Sequence, residues 1–240
     1  VSHVLLESSD KVANTIQKYQ KGKHVMAEPG ILPLRSPIGF DAGKREEILN
    51  TWEEGLAEHK VNIQYDAEVS AIDGSKGNFT IKLSRGEPVI AENIILGIGM
   101  QGNPRQLGVD GDNAPFVQYQ LDDPDEYNGE TIVVVGAGDA AIENAVALAT
   151  NNKVYIVNRK DEFARAKEGN LNLILANIDS GDVECFYGTT PAMVELTPDA
   201  EKPGIFHLNT PNGEASVPVD RIIARLGAIA PRGLVESFGI

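Results

Sequence analysis

An α/β architecture with a parallel sheet is predicted from three features of residues 131–160. A β-branched run, Thr131 to Val135, stops at the turn Gly136-Ala137-Gly138-Asp139-Ala140-Ala141. An Ala-rich stretch of helical composition follows at once, and then a second apolar run, Val154 to Val157. Strand, glycine turn, helix and strand in that order make a βαβ unit. In such a unit the first glycine permits the tight turn and the second lets backbone approach a pyrophosphate. The small third residue lets helix pack on strand. The helix N-terminus then presents unpaired N–H groups and a positive dipole end to the phosphate. Gly136, Gly138, Asp139, Ala140 and Ala141 are therefore expected to cradle a dinucleotide.

The end of the second strand bears on which dinucleotide it is. An Asp or Glu there grips the ribose 2′-hydroxyl of NAD, whereas Arg accommodates the 2′-phosphate of NADP. This chain has Asn158, then Arg159 and Lys160, with Arg165 a short loop further on. Three cations suit a 2′-phosphate, because guanidinium forks bind phosphate bidentately. The competing reading is a solvated basic turn.

Composition limits the alternatives. At 240 residues the chain holds one large domain or two medium ones, and 42% hydrophobic content with 24 glycines suits an α/β protein. A net charge of −14 argues against nucleic acid as a partner. It also makes the basic cluster at 159–165 a local exception. No apolar run of about 18 residues is present, so no membrane span is expected, and no signal peptide is visible. The one cysteine, Cys185, excludes a disulfide or a Cys-x-x-Cys pair within these residues. It lies in an apparent strand and reads as a packed thiol. A cytoplasmic location is expected. The four histidines, His3, His24, His59 and His207, show no metal-ligand spacing. The chain opens at Val1 directly into an apolar stretch, which suggests a fragment.

Along the chain, His3–Glu7 reads as a short buried strand ending in a carboxylate, followed by a polar helical stretch over 10–20. Residues 22–43, with three prolines and four glycines, read as irregular connection. Apolar spacing over 44–59 predicts a helix that packs Trp52. Short strands are expected at 61–65, 68–72, 79–83 and 87–90, then a buried strand at 94–99 closing on Gly97-Ile98-Gly99. Residues 106–130 read as an Asp-, Gly- and Pro-rich linker. Beyond the fingerprint, a helix at 168–178 should bury Leu171, Leu175 and Ile178. Strands should fill 182–219, with a hairpin at Asn212-Gly213. Arg221 to Gly227 is expected to be a last buried strand.

This order resembles the thioredoxin-reductase-like branch of the pyridine nucleotide–disulfide oxidoreductases, which carry two dinucleotide-binding domains. Asn158-Arg159-Lys160 and Arg165-Ala166 resemble that branch's NADP-gripping His-Arg-Arg and Arg-Ala, with Asn in place of His. Gly97-Ile98-Gly99 with Pro104-Arg105 resembles its connecting strand, and Leu226-Gly227 with Pro231 resembles its closing strand. The likeness implies an α/β fold of two Rossmann-like, three-layer domains with the FAD domain incomplete. The domains would be a partial FAD-binding domain at 1–111, an NADPH-binding domain at 112–230 and a return segment at 231–240. It implies that Glu7, Val69, Gly97 and Gly99 belong to the FAD side and Gly227 to the NADP side.

The activity implied is that of an FAD-dependent NADPH oxidoreductase passing hydride to flavin and then to an external acceptor such as a disulfide, thioredoxin or ferredoxin. The redox dithiol of thioredoxin reductases is absent. The best local likeness, in 1–65, is to cysteine-free relatives, which include ferredoxin–NADP reductases of this type and the proposed bacillithiol-disulfide reductases. No side-chain acid or base is assigned to catalysis, since the cofactors carry the chemistry. A homodimer is compatible with the resemblance. These residues alone are expected to be inactive, to retain NADPH binding and to keep little FAD. The rival reading is an NADPH-binding sensor or regulatory module without turnover. A third, a one-domain short-chain reductase, requires a Tyr-x-x-x-Lys pair, which the chain is read as lacking.

Overall fold

A computed structural model of the chain describes residues 2–26, 36–99 and 103–239. Contacts divide the chain into two compact units, Val1–Asn103 with Ala230–Ile240, and Pro104–Ile229. The division thus falls earlier than residue 111, and 230–240 groups with the first unit.

In the first unit, β1 (Leu5–Leu6) is followed by α1 (Asn14–Gln17), β2 (His24–Val25), β3 (Gly43–Lys44), α2 (Arg45–Glu58) and β4 (Ile63–Gln64). Then come β5 (Val69–Ser75), β6 (Asn78–Leu83) and β7 (Val89–Ala91). β1 and β4 pair in parallel, β2 and β3 pair antiparallel, and β5-β6-β7 form an antiparallel meander. The predicted helix over 44–59 is present as α2. It buries Ile48 and Leu49 against Ile16 and Val25, and Trp52 lies 5.6 Å from Phe40, ring to ring. Arg45 reaches back from the start of α2 to the carbonyls of Ile16 (3.1 Å) and Gln17 (2.6 Å). A cation on the last carbonyls ends α1 after one turn.

Three expectations in this unit need correction. The helical stretch at 10–20 shrinks to α1, and β1 is short and half-exposed rather than buried, with Leu5 39% exposed. Residues 94–99 form no strand, and Ile95 is 95% exposed. A strand is defined by a hydrogen-bonded neighbour, and among the described residues nothing pairs with this run.

The second unit carries β8 (Val117–Gln118), a 3₁₀ turn (Pro124–Glu126), β9 (Thr131–Val135), α3 (Asp139–Ala149), β10 (Lys153–Val157), α4 (Glu168–Ser180) and β11 (Val183–Phe186). It continues with β12 (Thr190–Leu196), β13 (Gly204–Thr210), β14 (Gly213–Val219) and β15 (Arg221–Ala224). After it, α5 (Arg232–Ser237) belongs to the first unit. The five-stranded sheet runs β11-β10-β9-β15-β8, parallel throughout. Chain order reverses between β9 and β15, the switch point where ligands of open α/β sheets bind.

Strand periodicity creates the three layers. Along β9, Ile132 and Val134 pack with Ala141, Ile142, Ala145 and Leu148 of α3 and with Ile174 of α4. Val133 and Val135 point the other way, onto Val194, Phe206 and Leu208 of the β12-β13-β14 meander. Both faces of the central strand are covered, so its run is uninterruptedly apolar. The hairpin joining β13 and β14 turns at 211–212, as the Asn212-Gly213 signal predicts.

Two readings of this unit also change. Residues 106–130 are no linker: β8 lies at the edge of the sheet, and Ala114, Phe116 and Leu121 are buried. Isolated apolar residues between turns leave no period to read, yet each fills a place in the core. On α4 the buried face is Leu171, Ile174 and Ile178, whereas Leu175 is 39% exposed. At about 100° per residue, positions 174 and 175 lie equally far to either side of the stripe set by 171 and 178, so packing on the sheet, not spacing, selects Ile174.

Candidate functional site

The glycine turn sits at the C-terminal end of β9, beside the end of β10, and the N–H of Gly136 bonds the carbonyl of Val157 at 3.1 Å. Gly136 has φ +139°, and a Cβ there would lie 2.5 Å from the carbonyl oxygen of Arg225. Its glycine requirement is therefore internal to the protein. Gly138 differs: its backbone is extended (φ −97°, ψ 174°) and a Cβ would enter open space. It stands at the N-cap of α3, where no side chain caps the helix. The Ala141 N–H bonds the Gly138 carbonyl at 2.9 Å, which leaves the N–H groups of Asp139 and Ala140 for an outside acceptor. Ala141 is fully buried and 3.2 Å from where a Gly136 Cβ would stand. Ala140, one residue before it, is half-buried.

Asp139 turns away from that opening. Its Oδ1 accepts the N–H of Lys167 at 2.9 Å and Nδ2 of Asn170 at 2.9 Å, tying the start of α3 to the start of α4.

Past β10, Asn158 is 1% exposed. Its Oδ1 accepts the N–H of Lys160 at 3.0 Å, and its Nδ2 donates to the carbonyl of Glu162 at 3.0 Å. Arg159, Lys160 and Arg165 are exposed, and among the described residues none of them forms an ion pair. Sequence reading missed what holds this loop. Phe163, 3% exposed, anchors in the helix-side core, edge-on to Tyr187 at 5.9 Å. The N–H groups of Gly188 and Thr189, after β11, bond the carbonyls of Lys160 (3.2 Å) and Asn158 (3.0 Å). One aromatic within a mostly charged 159–165 was the available signal. The structure thus brings the glycine turn and the basic loop to adjacent strand ends. Gly227 (φ +83°) lies just past β15, its carbonyl accepting the Arg105 N–H at 2.9 Å.

Glu7, Val69, Gly97 and Gly99 lie in the other unit. Glu7 follows β1, and its Oε1 accepts the N–H of Ser9 at 2.9 Å. A carboxylate has further lone pairs to offer. Val69 opens β5, paired with Leu83 before a bulge. A Cβ on Gly97 or Gly99 would meet nothing within 4 Å.

Cys185 lies in β11 and is half-buried; burial pushes its thiol up to about 12, partly opposed by a hydrogen bond with Tyr187. Such a thiol is a poor nucleophile at neutral pH. The chain does contain a Tyr-x-x-x-Lys spacing, Tyr19 and Lys23, contrary to its reading as absent. Lys23 Nζ lies 5.2 Å from the Tyr19 ring centre, but the pair belongs to the unit without the glycine fingerprint. Among the described residues no helix is long and apolar enough to cross a membrane.

The sequence profile of the family described as pyridine nucleotide-disulphide oxidoreductase matches residues 3–232. The chain is 26% identical over 210 residues to a ferredoxin–NADP reductase of Ignicoccus hospitalis, covering 87% of this chain and 67% of that protein. It is 28% identical over 216 residues to one of Lactiplantibacillus plantarum, covering 86% and 62%. It therefore spans about two thirds of the length of these relatives. Among solved structures, the bacillithiol disulfide reductase Bdr of Staphylococcus aureus superposes with a TM-score of 0.85 at 17% identity, over 99% of this chain and 72% of that one. The thioredoxin reductase of Lactococcus lactis gives 0.73 at 19% identity, over 93% and 69%. At these identities the likeness concerns the fold.

Proposed function

Because this chain belongs to the pyridine nucleotide-disulphide oxidoreductase family, we propose that it forms part of an FAD-dependent NADPH oxidoreductase, with Pro104–Ile229 as the NADPH-binding unit. The observation that carries this reading is the pairing of two features at neighbouring strand ends. An uncapped helix terminus lies behind Gly138, where a Cβ would enter open space, and three exposed cations that form no ion pair among the described residues follow β10. The first suits a pyrophosphate, which takes backbone N–H groups and the dipole end. The second suits a 2′-phosphate. In an acidic protein of net charge −14, the local excess of cations also favours an anionic ligand over the surrounding surface.

The first unit is the proposed flavin side. Glu7, at the end of a parallel strand, offers carboxylate oxygens to ribose hydroxyls, and the strand-end position matches the acid of such sites. Val69 is assigned to the same side by the resemblance, and the open space at Gly97 and Gly99 allows close approach of a ligand. When bound, the two cofactors supply hydride donor and hydride acceptor, and the protein's part is binding and orientation. These residues hold no dithiol, and Cys185 stays protonated, so the acceptor lies outside them. The names of the curated relatives make ferredoxin the first acceptor to test.

Calorimetry with NADPH and NADH tests the reading. Wild type should prefer NADPH, and Arg159→Ala should lose about tenfold in NADPH affinity with little change for NADH. Equal wild-type affinities would refute it.

A further inference from the structure

Asn158 occupies a position where the resemblance puts a ligand-gripping residue, yet its side chain is consumed within its own loop. It is 1% exposed between a buried strand and three exposed cations. Oδ1 accepts from the Lys160 N–H and Nδ2 donates to the Glu162 carbonyl, both at 3.0 Å. The backbone is engaged as well: its N–H bonds the Phe186 carbonyl at 2.9 Å, and its carbonyl takes the Thr189 N–H at 3.0 Å. All four groups are satisfied by protein, which leaves the amide with little to offer a ligand.

Asparagine meets both demands. Its short arm accepts from the N–H two residues on, the Asx turn, while its NH₂ reaches the carbonyl of Glu162. A carboxylate could accept but not donate, and a hydroxyl could close only the turn. The pair of bonds spans Arg159 and Lys160 and fixes their backbone. Phe163 and the Gly188 N–H to the Lys160 carbonyl hold the remainder of the loop.

We infer that Asn158 is a positioning residue for phosphate selectivity. It touches no ligand, and it presents Arg159 and Lys160 in the geometry that a 2′-phosphate needs. This rests on the NADPH reading above. A loop already ordered spends less conformational entropy when the phosphate arrives, so the gain appears only for the ligand that engages the cations.

The test uses the chain with Asn158→Ala, Asn158→Ser, Arg159→Ala and the Asn158→Ala/Arg159→Ala double variant, titrated by calorimetry with NADP⁺ and NAD⁺. Asn158→Ala should weaken NADP⁺ about tenfold and leave NAD⁺ within about twofold. Asn158→Ser, which can still close the turn, should recover part of the loss without adding charge. In the double variant the two losses should fall short of additive, since the cation to be positioned is gone. Equal losses for both nucleotides, or full additivity, would overturn the inference and leave the NADPH reading intact. Wild type with no preference for NADP⁺ would instead sink that reading, and the inference with it.

Discussion

The Asp139 carboxylate accepts the backbone N–H of Lys167 at 2.9 Å. Lys167 is the N-cap residue of α4, and its own side chain makes no cap. Asp139 therefore does for α4 what the N3 Glu of a capping box does, accepting the N–H of the N-cap residue, but from a neighbouring helix. The same oxygen takes Nδ2 of Asn170, which also reaches Glu143 at 3.2 Å. The turn after β9 and the far end of the basic loop are thereby joined through one side chain.

Removing that acceptor should cost about 1–2 kcal/mol, the range for a lost cap. Asp139→Asn, which keeps a carbonyl oxygen, should cost less than Asp139→Ala. Urea unfolding at neutral pH measures both. An alanine variant as stable as wild type would show that α4 starts without help from α3.

Gly136 and Gly138 should separate folding from binding. Gly136→Val forces a side chain to φ +139° and into the Arg225 carbonyl, so it should destabilise the unit by about 3 kcal/mol or more. Gly138→Val meets open space on an extended backbone and should cost no more than about 1 kcal/mol. It should nevertheless abolish NADPH binding. Melting curves and titration together decide, and tight binding by Gly138→Val would move the pyrophosphate elsewhere.

Stability should decline in alkali. Burial raises the Cys185 thiol from an ordinary 9.0 to about 12, and burial, then the neighbouring Cys185, raises Tyr187 from 10.0 to about 12. Both groups are neutral in the folded and the unfolded chain well below pH 9. Above it they ionise first in the unfolded chain, so their contribution is lost as pH rises from 9 toward 12. Cys185→Ala should flatten part of the fall in denaturation midpoint between pH 9 and pH 11. An unchanged slope would assign the loss to other groups.

At the opposite end of the sheet, Arg221 grips Glu130 through two bonds, 2.9 and 3.0 Å, with its guanidinium 4.5 Å from the centre of the Tyr127 ring. The bond to Glu130 holds the guanidinium above its usual pKa. The pair joins the starts of β9 and β15, which lie side by side. Arg221→Ala should cost about 1–3 kcal/mol. Cycle coupling with Glu130→Ala should be about 1 kcal/mol, and NADPH affinity should not change. Zero coupling in the double-mutant cycle would reduce the pair to surface decoration.

Much of the second unit could be read from the chain because its signals are local. The run at 131–135, its glycine turn, the Ala-rich helix and the strand at 153–157 each declare themselves within a few residues. Asn212-Gly213 did the same for the β13–β14 hairpin. The basic loop was visible as composition, but its shape was not: the burial of Asn158 and Phe163 depends on Thr189 and Gly188, which arrive from the end of another strand. Leu175 and Ile174 were confused because neighbouring apolar residues on a helix differ only in angle, and the sheet decides which one turns inward.

Sequence alone determined which segments could be strand or helix, where glycine is compulsory and that cations gather after the second strand. Tertiary structure decided which of these became a site. Residues 94–99 are as apolar as any strand in the chain, yet Ile95 stays 95% exposed because no described strand pairs with them. Residues 106–130 look like a linker, yet they place β8 at the edge of the sheet and Leu121 in its core. Pairing and packing are properties of two segments at once, so neither can be read from one of them.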